Sequence, residues 1–184
     1  MNLMQTQMAA PATVHAALDT ITYAIGQSAI GNILVARSDI GVCAILIGSD
    51  SDALEQDLGH CFPGKMRIED GPALRDDLAA IARFIEAPAT GLDLALDMRH
   101  GTPFQQQVWA ALRAIPCGAT ITYTALAGRL GQPNGARAVA TACAANAIAL
   151  GIPCHRVVRA DGTLSGYRWG VERKRALLDK EATI

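Results

Sequence analysis

The sequence predicts an α+β fold in two parts: a small β-sheet with helices over residues 14–98, then an all-helical part with a helix-turn-helix over 99–184. Three observations predict it. Apolar and β-branched runs crowd residues 20–47 and read as strands. Beyond them, apolar residues recur at helical spacing. The charge also changes sign: residues 1–100 carry 6 Lys+Arg against 13 Asp+Glu, net −7, and residues 101–184 carry 10 against 4, net +6. With 184 residues and 51% apolar content, the chain can bury one good core, or two small ones sharing an interface.

Thr20–Ile25, Gly31–Arg37 and Gly41–Ile47 are the first strands, the last apolar on both faces as a central strand would be. Asp50 or Ser51 can cap a helix running to about His60. Gly71-Pro72 opens a second helix, with Leu74, Leu78, Ile81, Ala82 and Ile85 along one side. Leu92–Asp97 alternates and reads as a further strand.

The boundary falls near Arg99-His100-Gly101. Thr102-Pro103-Phe104-Gln105 is a helix start, with Thr as N-cap, Pro at the first position and Gln placed for a capping box. Phe104, Val108, Trp109, Leu112 and Ile115 form its apolar face. A short helix over Thr124–Leu130, a turn at Gly131–Gly135 and a second helix over Ala136–Ala145 give helix-turn-helix spacing. The second helix has one charge, Arg137, and no Asn, Gln or Lys to read base edges. Its small side chains, Ala136 and Ala138 among them, fit a packed interior. They also fit a thin helix lying in a minor groove with Arg137 as a projecting finger. Gly166–Gly170 is a glycine-bracketed aromatic loop, and a last helix runs from about Val171 to Glu181 with Leu177 and Leu178 inward.

Five cysteines in no framework, with no export signal in residues 1–13, read as reduced cytosolic thiols. Those first residues are expected to be a flexible N-terminus. Nothing in the sequence approaches a membrane span. His60, Cys61 and Cys43 lack close ligand spacing and a fourth partner, so no metal is expected. The acidic first half and basic second half point any polyanion to the second half, although two domains can also differ in charge by chance.

The chemistry concentrates in Gly151-Ile152-Pro153-Cys154-His155-Arg156-Val157-Val158. A nearby imidazole or guanidinium favours a thiolate, and Pro153 stiffens the segment that presents it. Most free cysteines are small buried hydrophobes, and the Cys-His pair alone leaves that reading open. In an extended chain the two side chains point apart, so a bridging water is the natural proton path between them.

Pro153-Cys154-His155-Arg156-Val157, with Ala144-Ala145-Asn146 before it and Ser165-Gly166-Tyr167-Arg168-Trp169-Gly170 after it, resembles the active-site region of the methylated-DNA–protein-cysteine methyltransferases. Bacterial Ada-type members are the nearest in pattern, over residues 100–181. The resemblance implies a ribonuclease H-like N-terminal part and a winged-helix-like C-terminal one. It implies alkyl transfer from the exocyclic oxygen of guanine in double-stranded DNA to Cys154, with His155 as base and Glu181 orienting it. Asn146 would join the recognition helix to the active-site segment. Tyr123 would rotate the target nucleotide and donate to the base, and Arg137 would fill the gap, with Ala136 and Ala138 beside it on the DNA. Tyr167, Val157, Arg168, Trp169 and Pro153 would surround the flipped base. No cofactor is implied, and a cytoplasmic monomer acting once per molecule is expected. Cys143, eleven residues before Cys154, is expected to face the core.

One departure is visible. Ala147–Gly151 stands where the family often has proline or lysine lining the pocket. The four-cysteine module of full-length Ada-type proteins has no counterpart here, so a transcription-activator role is not expected. Two other classes remain: a relative that recognises damage without removing it, which would lack the acceptor Cys154, and a cysteine hydrolase, which needs direct thiol–imidazole contact and an oxyanion hole.

Overall fold

The computed structural model describes residues 20–164 and 166–183; the expected flexible N-terminus lies outside the described residues. Strands β1 (Thr20–Ser28), β2 (Gly31–Arg37), β3 (Val42–Gly48) and β4 (Met66–Glu69) form a sheet in the order β3-β2-β1-β4. The first three are an antiparallel meander, and β4 runs parallel to β1. Gly31, at φ 118, closes the β1–β2 hairpin in a conformation that side chains resist. β4 escaped the sequence reading because it is four residues long and exposed throughout, so it shows no buried alternation.

β3 corrects an expectation. It is almost wholly buried, yet it stands at the sheet's edge rather than its centre. Two irregular segments cover that edge. Val42 donates to Ala95 O and accepts from Asp97 N, both at 2.8 Å, and Ile45 donates to Ala147 O and accepts from Ala149 N, both at 2.9 Å. The expected strand at 92–97 is therefore reduced to a single bridge, Val42–Leu96. Covering an edge in this way removes a row of unpaired backbone groups.

Helix α1 (Ser51–Cys61) is capped by Asp50, as expected, and buries Leu54 and Leu58. Helix α2 (Arg75–Glu86) starts later than Gly71-Pro72, which lie in a turn instead. Helix α3 (Pro103–Arg113) carries the expected Thr102/Gln105 capping box. Its Trp109 is fully buried and donates to Ala142 O at 2.8 Å. That bond fixes α3 against the helix-turn-helix pair α4 (Tyr123–Arg129) and α5 (Ala136–Ala144). Helix α6 (Val171–Glu181) buries Lys174, Leu177 and Glu181, which lie on one face at spacings of three and four.

The second half is not all-helical. Two short strands, β5 (Ile121–Thr122) and β6 (Val157–Val158), pair in parallel, Ile121 with Val157 and Thr122 with Val158. Two-residue strands carry no period, so the sequence could not announce them. Their consequence is local: β5 leads directly into Tyr123, and β6 follows the Cys154 segment, so the pair fixes one beside the other. Buried apolar residues form one continuous cluster from Ile21 to Leu177, so both halves share a core. Among the described residues no helix is long and apolar enough to cross a membrane.

Candidate active site

After α5 the chain runs along the β3 edge at 147–149, then turns. Leu150 takes a positive φ of 67, unusual for a branched residue, and is held there by burial. The chain next reaches Pro153 and a 3-10 turn, Cys154–Arg156. The Cys-His pair was expected in extended chain. The turn instead separates consecutive side chains by about a third of a revolution, which still aims Cys154 and His155 apart.

Asn146 holds the segment. It is fully buried; its Oδ1 accepts from Ile148 N at 2.8 Å, and its Nδ2 donates to Ile152 O at 2.9 Å and to Cys154 Sγ at 3.3 Å. The amide thus fixes the path between α5 and Cys154 and touches the sulfur. Cys154 is 5% exposed. Burial pushes its thiol pKa up, while the Asn146 bond and the charges of Lys174 and Arg168 pull the other way.

Behind the thiol lies a charge network. His155 Nε2 is 2.9 Å from Glu181 Oε1. Arg156 grips the same carboxylate, Nε to Oε2 at 2.9 Å and Nη2 to Oε1 at 2.8 Å, and its Nη1 donates to Ile115 O at 2.6 Å. Gly118 N donates to Oε2 at 3.3 Å. Burial alone would raise the Glu181 carboxyl, but hydrogen bonds from His155 and Arg156 outweigh it and hold its pKa at about 2. An ionised carboxylate only accepts, so Nε2 carries the ring proton and Nδ1 is left as the basic atom. Nδ1 is buried with no hydrogen-bond partner among the described residues. Burial lowers the His155 pKa, partly offset by Glu181, so the ring rests neutral at pH 7. Arg156 was expected to favour the thiolate; its guanidinium faces Glu181 instead.

On the other side of Cys154 is a cavity of about 310 Å³. Tyr123 enters it from the start of α4; Ala140, Cys143 and Ala144 from α5; Gly166, Tyr167 and Arg168 from the loop before α6. Arg137 lies one turn before Ala140 and two before Ala144 on the same helix face and is exposed, as is Ala138, with Ala136 half-buried. Cys143 is buried in the core, as expected, and it also lines the Cys154 cavity. Burial and the neighbouring Cys154 push its thiol up to about 12, with Lys174 opposing.

Of the five residues expected around the base, Tyr167 and Arg168 line the cavity, and Val157, Trp169 and Pro153 do not. Val157 is buried in β6. Trp169 packs edge-on behind Tyr167, centroids 5.1 Å apart, with the Arg168 guanidinium 5.8 Å from its ring. Pro153 faces a different cleft, with Arg113 and Cys117. Ala147–Gly151 does not line the cavity either; its first three residues dock on β3. Arg168 further ties the cavity to the first half, donating to Asn146 O at 3.3 Å and to Cys61 Sγ at 3.1 Å. The arrangement places a covered thiol between a cavity walled by Tyr167 and the buried His155–Glu181 pair.

The family described as 6-O-methylguanine DNA methyltransferase, DNA binding domain, matches residues 103–183. The bifunctional transcriptional activator/DNA repair enzyme Ada of Escherichia coli is 49% identical over 162 residues, 88% of this chain and 46% of that protein. A methylated-DNA–protein-cysteine methyltransferase of Salmonella typhimurium is 57% identical over 84 residues, 46% of this chain and 49% of that one. The chain spans about half the length of the curated relatives it matches. Among solved structures, Mycobacterium tuberculosis OGT in complex with DNA superposes with a TM-score of 0.74 at 34% identity, covering 88% of this chain and 93% of that one. At 34% identity over 93% of that solved chain, with the family match over residues 103–183, the chain belongs to the methylated-DNA–protein-cysteine methyltransferase family.

Proposed function

We propose that this protein repairs double-stranded DNA by moving an alkyl group from the exocyclic oxygen of guanine onto Cys154, once per molecule. The observation that carries the reading is the Cys154 thiol placed between an aromatic-walled cavity and the buried His155–Glu181 pair. A base inside a stacked duplex cannot reach Cys154, so it must be flipped out, at a cost of a few kcal/mol. The face of α5 that lines the cavity carries Arg137 one turn outward, where it can fill the vacated stack from the minor groove beside Ala136 and Ala138.

In the cavity the base lies against Tyr167. The Cys154 proton passes through a bridging water to His155 Nδ1, and Glu181 and Arg156 hold the ring in the receiving tautomer. The sulfur then attacks the alkyl carbon in line; the S–C bond forms as the C–O bond breaks. The electron pair stays on guanine, which Tyr123 protonates. This leaves His155 as imidazolium and Tyr123 as phenolate; a proton returned from His155 to Tyr123 through water restores both, so that over the event one proton moves from sulfur to guanine. The thioether is stable in water, and no cofactor takes part. Cys143 also lines the cavity, and burial pushes its thiol up to about 12.

The finer fold reading is ribonuclease H-like for residues 14–98, supported by an antiparallel meander with a parallel fourth strand. For residues 99–184 it is winged-helix-like, supported by β5–β6 beside α4–α5. The basic second half meets the DNA, and the protein works as a cytoplasmic monomer. Intact-mass measurement after incubation with excess methylated duplex tests the function. One methyl per chain, mapped to Cys154, is expected. Binding without any mass gain would instead identify a damage-recognition relative.

A further inference from the structure

Lys174 has no part in the steps above, yet it is fully buried on the inner face of α6. Lysine at 0% exposure is rare, because an ammonium loses its hydration on burial and little in an apolar core replaces it. Its Nζ donates to the Val157 carbonyl at 2.6 Å. That carbonyl is three residues past Cys154, at the end of the turn whose Val157 N–H returns to Cys154 O. The ammonium is thus pinned under the acceptor turn. Its charge acts on the Cys154 and Cys143 thiols, from the turn and from α5.

Other groups around Cys154 are Asn146, Tyr167, His155 and Arg168. Asn146 gives a neutral amide N–H, Tyr167 a buried neutral phenol, and His155 is balanced by Glu181 and Arg156. Arg168 is a cation but is shared with Asn146 O, Cys61 and the Trp169 ring. Resting on the alkyl-transfer reading, we propose that Lys174 is a positioning residue whose ammonium stabilises the negative charge on Cys154 Sγ between proton loss and S–C bond formation. Once the S–C bond forms, the charge has moved to guanine and Lys174 contributes nothing more. Burial lowers the Lys174 pKa and the two thiols raise it, so lysine and thiol support each other's charged forms.

The experiment compares wild type with Lys174→Met and Lys174→Arg. Single-turnover methyl transfer and iodoacetamide alkylation of Cys154 without DNA are each followed from pH 6 to 10. Lys174→Met is expected to shift the rising limb of both profiles by about one pH unit, with roughly tenfold slower reaction at pH 7. Lys174→Arg keeps the charge and should restore most of the rate, and DNA affinity should be unchanged in both. A uniform loss with an unmoved limb would reduce Lys174 to a strut for β6 and overturn the proposal. Iodoacetamide needs no DNA, so wild type that reacts with it but takes no methyl sinks the repair reading while still testing Lys174. Should the Met variant not fold, NMR titration of Lys174 in wild type and Cys154→Ser decides: loss of the thiol is expected to lower the lysine midpoint, and an unmoved midpoint overturns the proposal.

Discussion

The two halves of this molecule divide their work unequally. The first half carries net −7 and, among its described residues, no group of the site except Cys61; the second carries net +6 and the thiol, the His155–Glu181 pair and the described lining of the cavity. The first half nevertheless sets where the thiol sits. Its β3 edge takes 147–149 as a surrogate strand, Cys61 accepts from Arg168, and Ile30 O accepts from Arg173 at 2.7 Å. A half without chemistry can still supply precision, by offering an unfilled sheet edge to the segment that needs fixing.

The sharpest way to break the comparison is at the thiol. Cys154→Ser should abolish methyl transfer, read by mass, and leave duplex binding within about twofold because α5, the proposed binding helix, is untouched. Binding lost along with transfer would show that Cys154 shapes the DNA surface as well.

Next in size is Glu181→Gln. Transfer should slow roughly 10²-fold, the scale of general-base catalysis, with DNA affinity nearly unchanged. Leaving Arg156 facing a neutral amide should also cost about 3–5 kcal/mol of stability, read by urea denaturation. The pH dependence has a fixed sign. Glu181 is held at about 2, below its ordinary 4.5, so its contribution is complete above pH 4.5 and is lost as pH falls toward 2. The variant should show a smaller acid loss over that window; an identical acid profile would remove Glu181 from the account.

Ala149→Pro tests the first half's contribution. It removes the N–H that meets Ile45 O and should cost about 1–3 kcal/mol. Transfer should slow while duplex affinity holds, as single-turnover rates beside binding curves will show. A stability loss with a normal rate would mean that the edge supports the fold but not the thiol's aim.

The smallest effect belongs to Arg137→Ala. Repair in duplex should weaken roughly tenfold, a part of the flipping cost, and reaction with the free alkylated base should not change. Equal losses on both substrates would show that Arg137 is not a duplex-specific finger.

What was legible in the sequence was local. Thr102-Pro103-Gln105 announces α3 because a capping box needs only four residues, and β1 to β3 show in their apolar runs. Burial of β3 was legible; its place at the edge was not, because the residues covering it lie about fifty and one hundred positions away. Strands β4, β5 and β6 are too short to carry a period. In the site, Cys154 and His155 stand out as a pair. Glu181 lies 26 residues further on and was reachable only through the family pattern. The roles of Arg156 and Lys174 were invisible, since a charged residue reads as surface until packing buries it. Burial of Lys174 had one faint signal, its place with Leu177 and Glu181 on one helical face.

The covered thiol has a consequence for how long a molecule stays useful. On the proposed reading, a protein that reacts once is a consumable, and each chance encounter with a small electrophile would retire a copy before it met a lesion. A cysteine only 5% exposed, its proton held more tightly than in a free thiol, should react slowly with anything the cavity does not orient. Under that reading, depletion of the stock would track damage in DNA rather than the background of reactive compounds in water, and the surviving fraction would serve as a dosimeter.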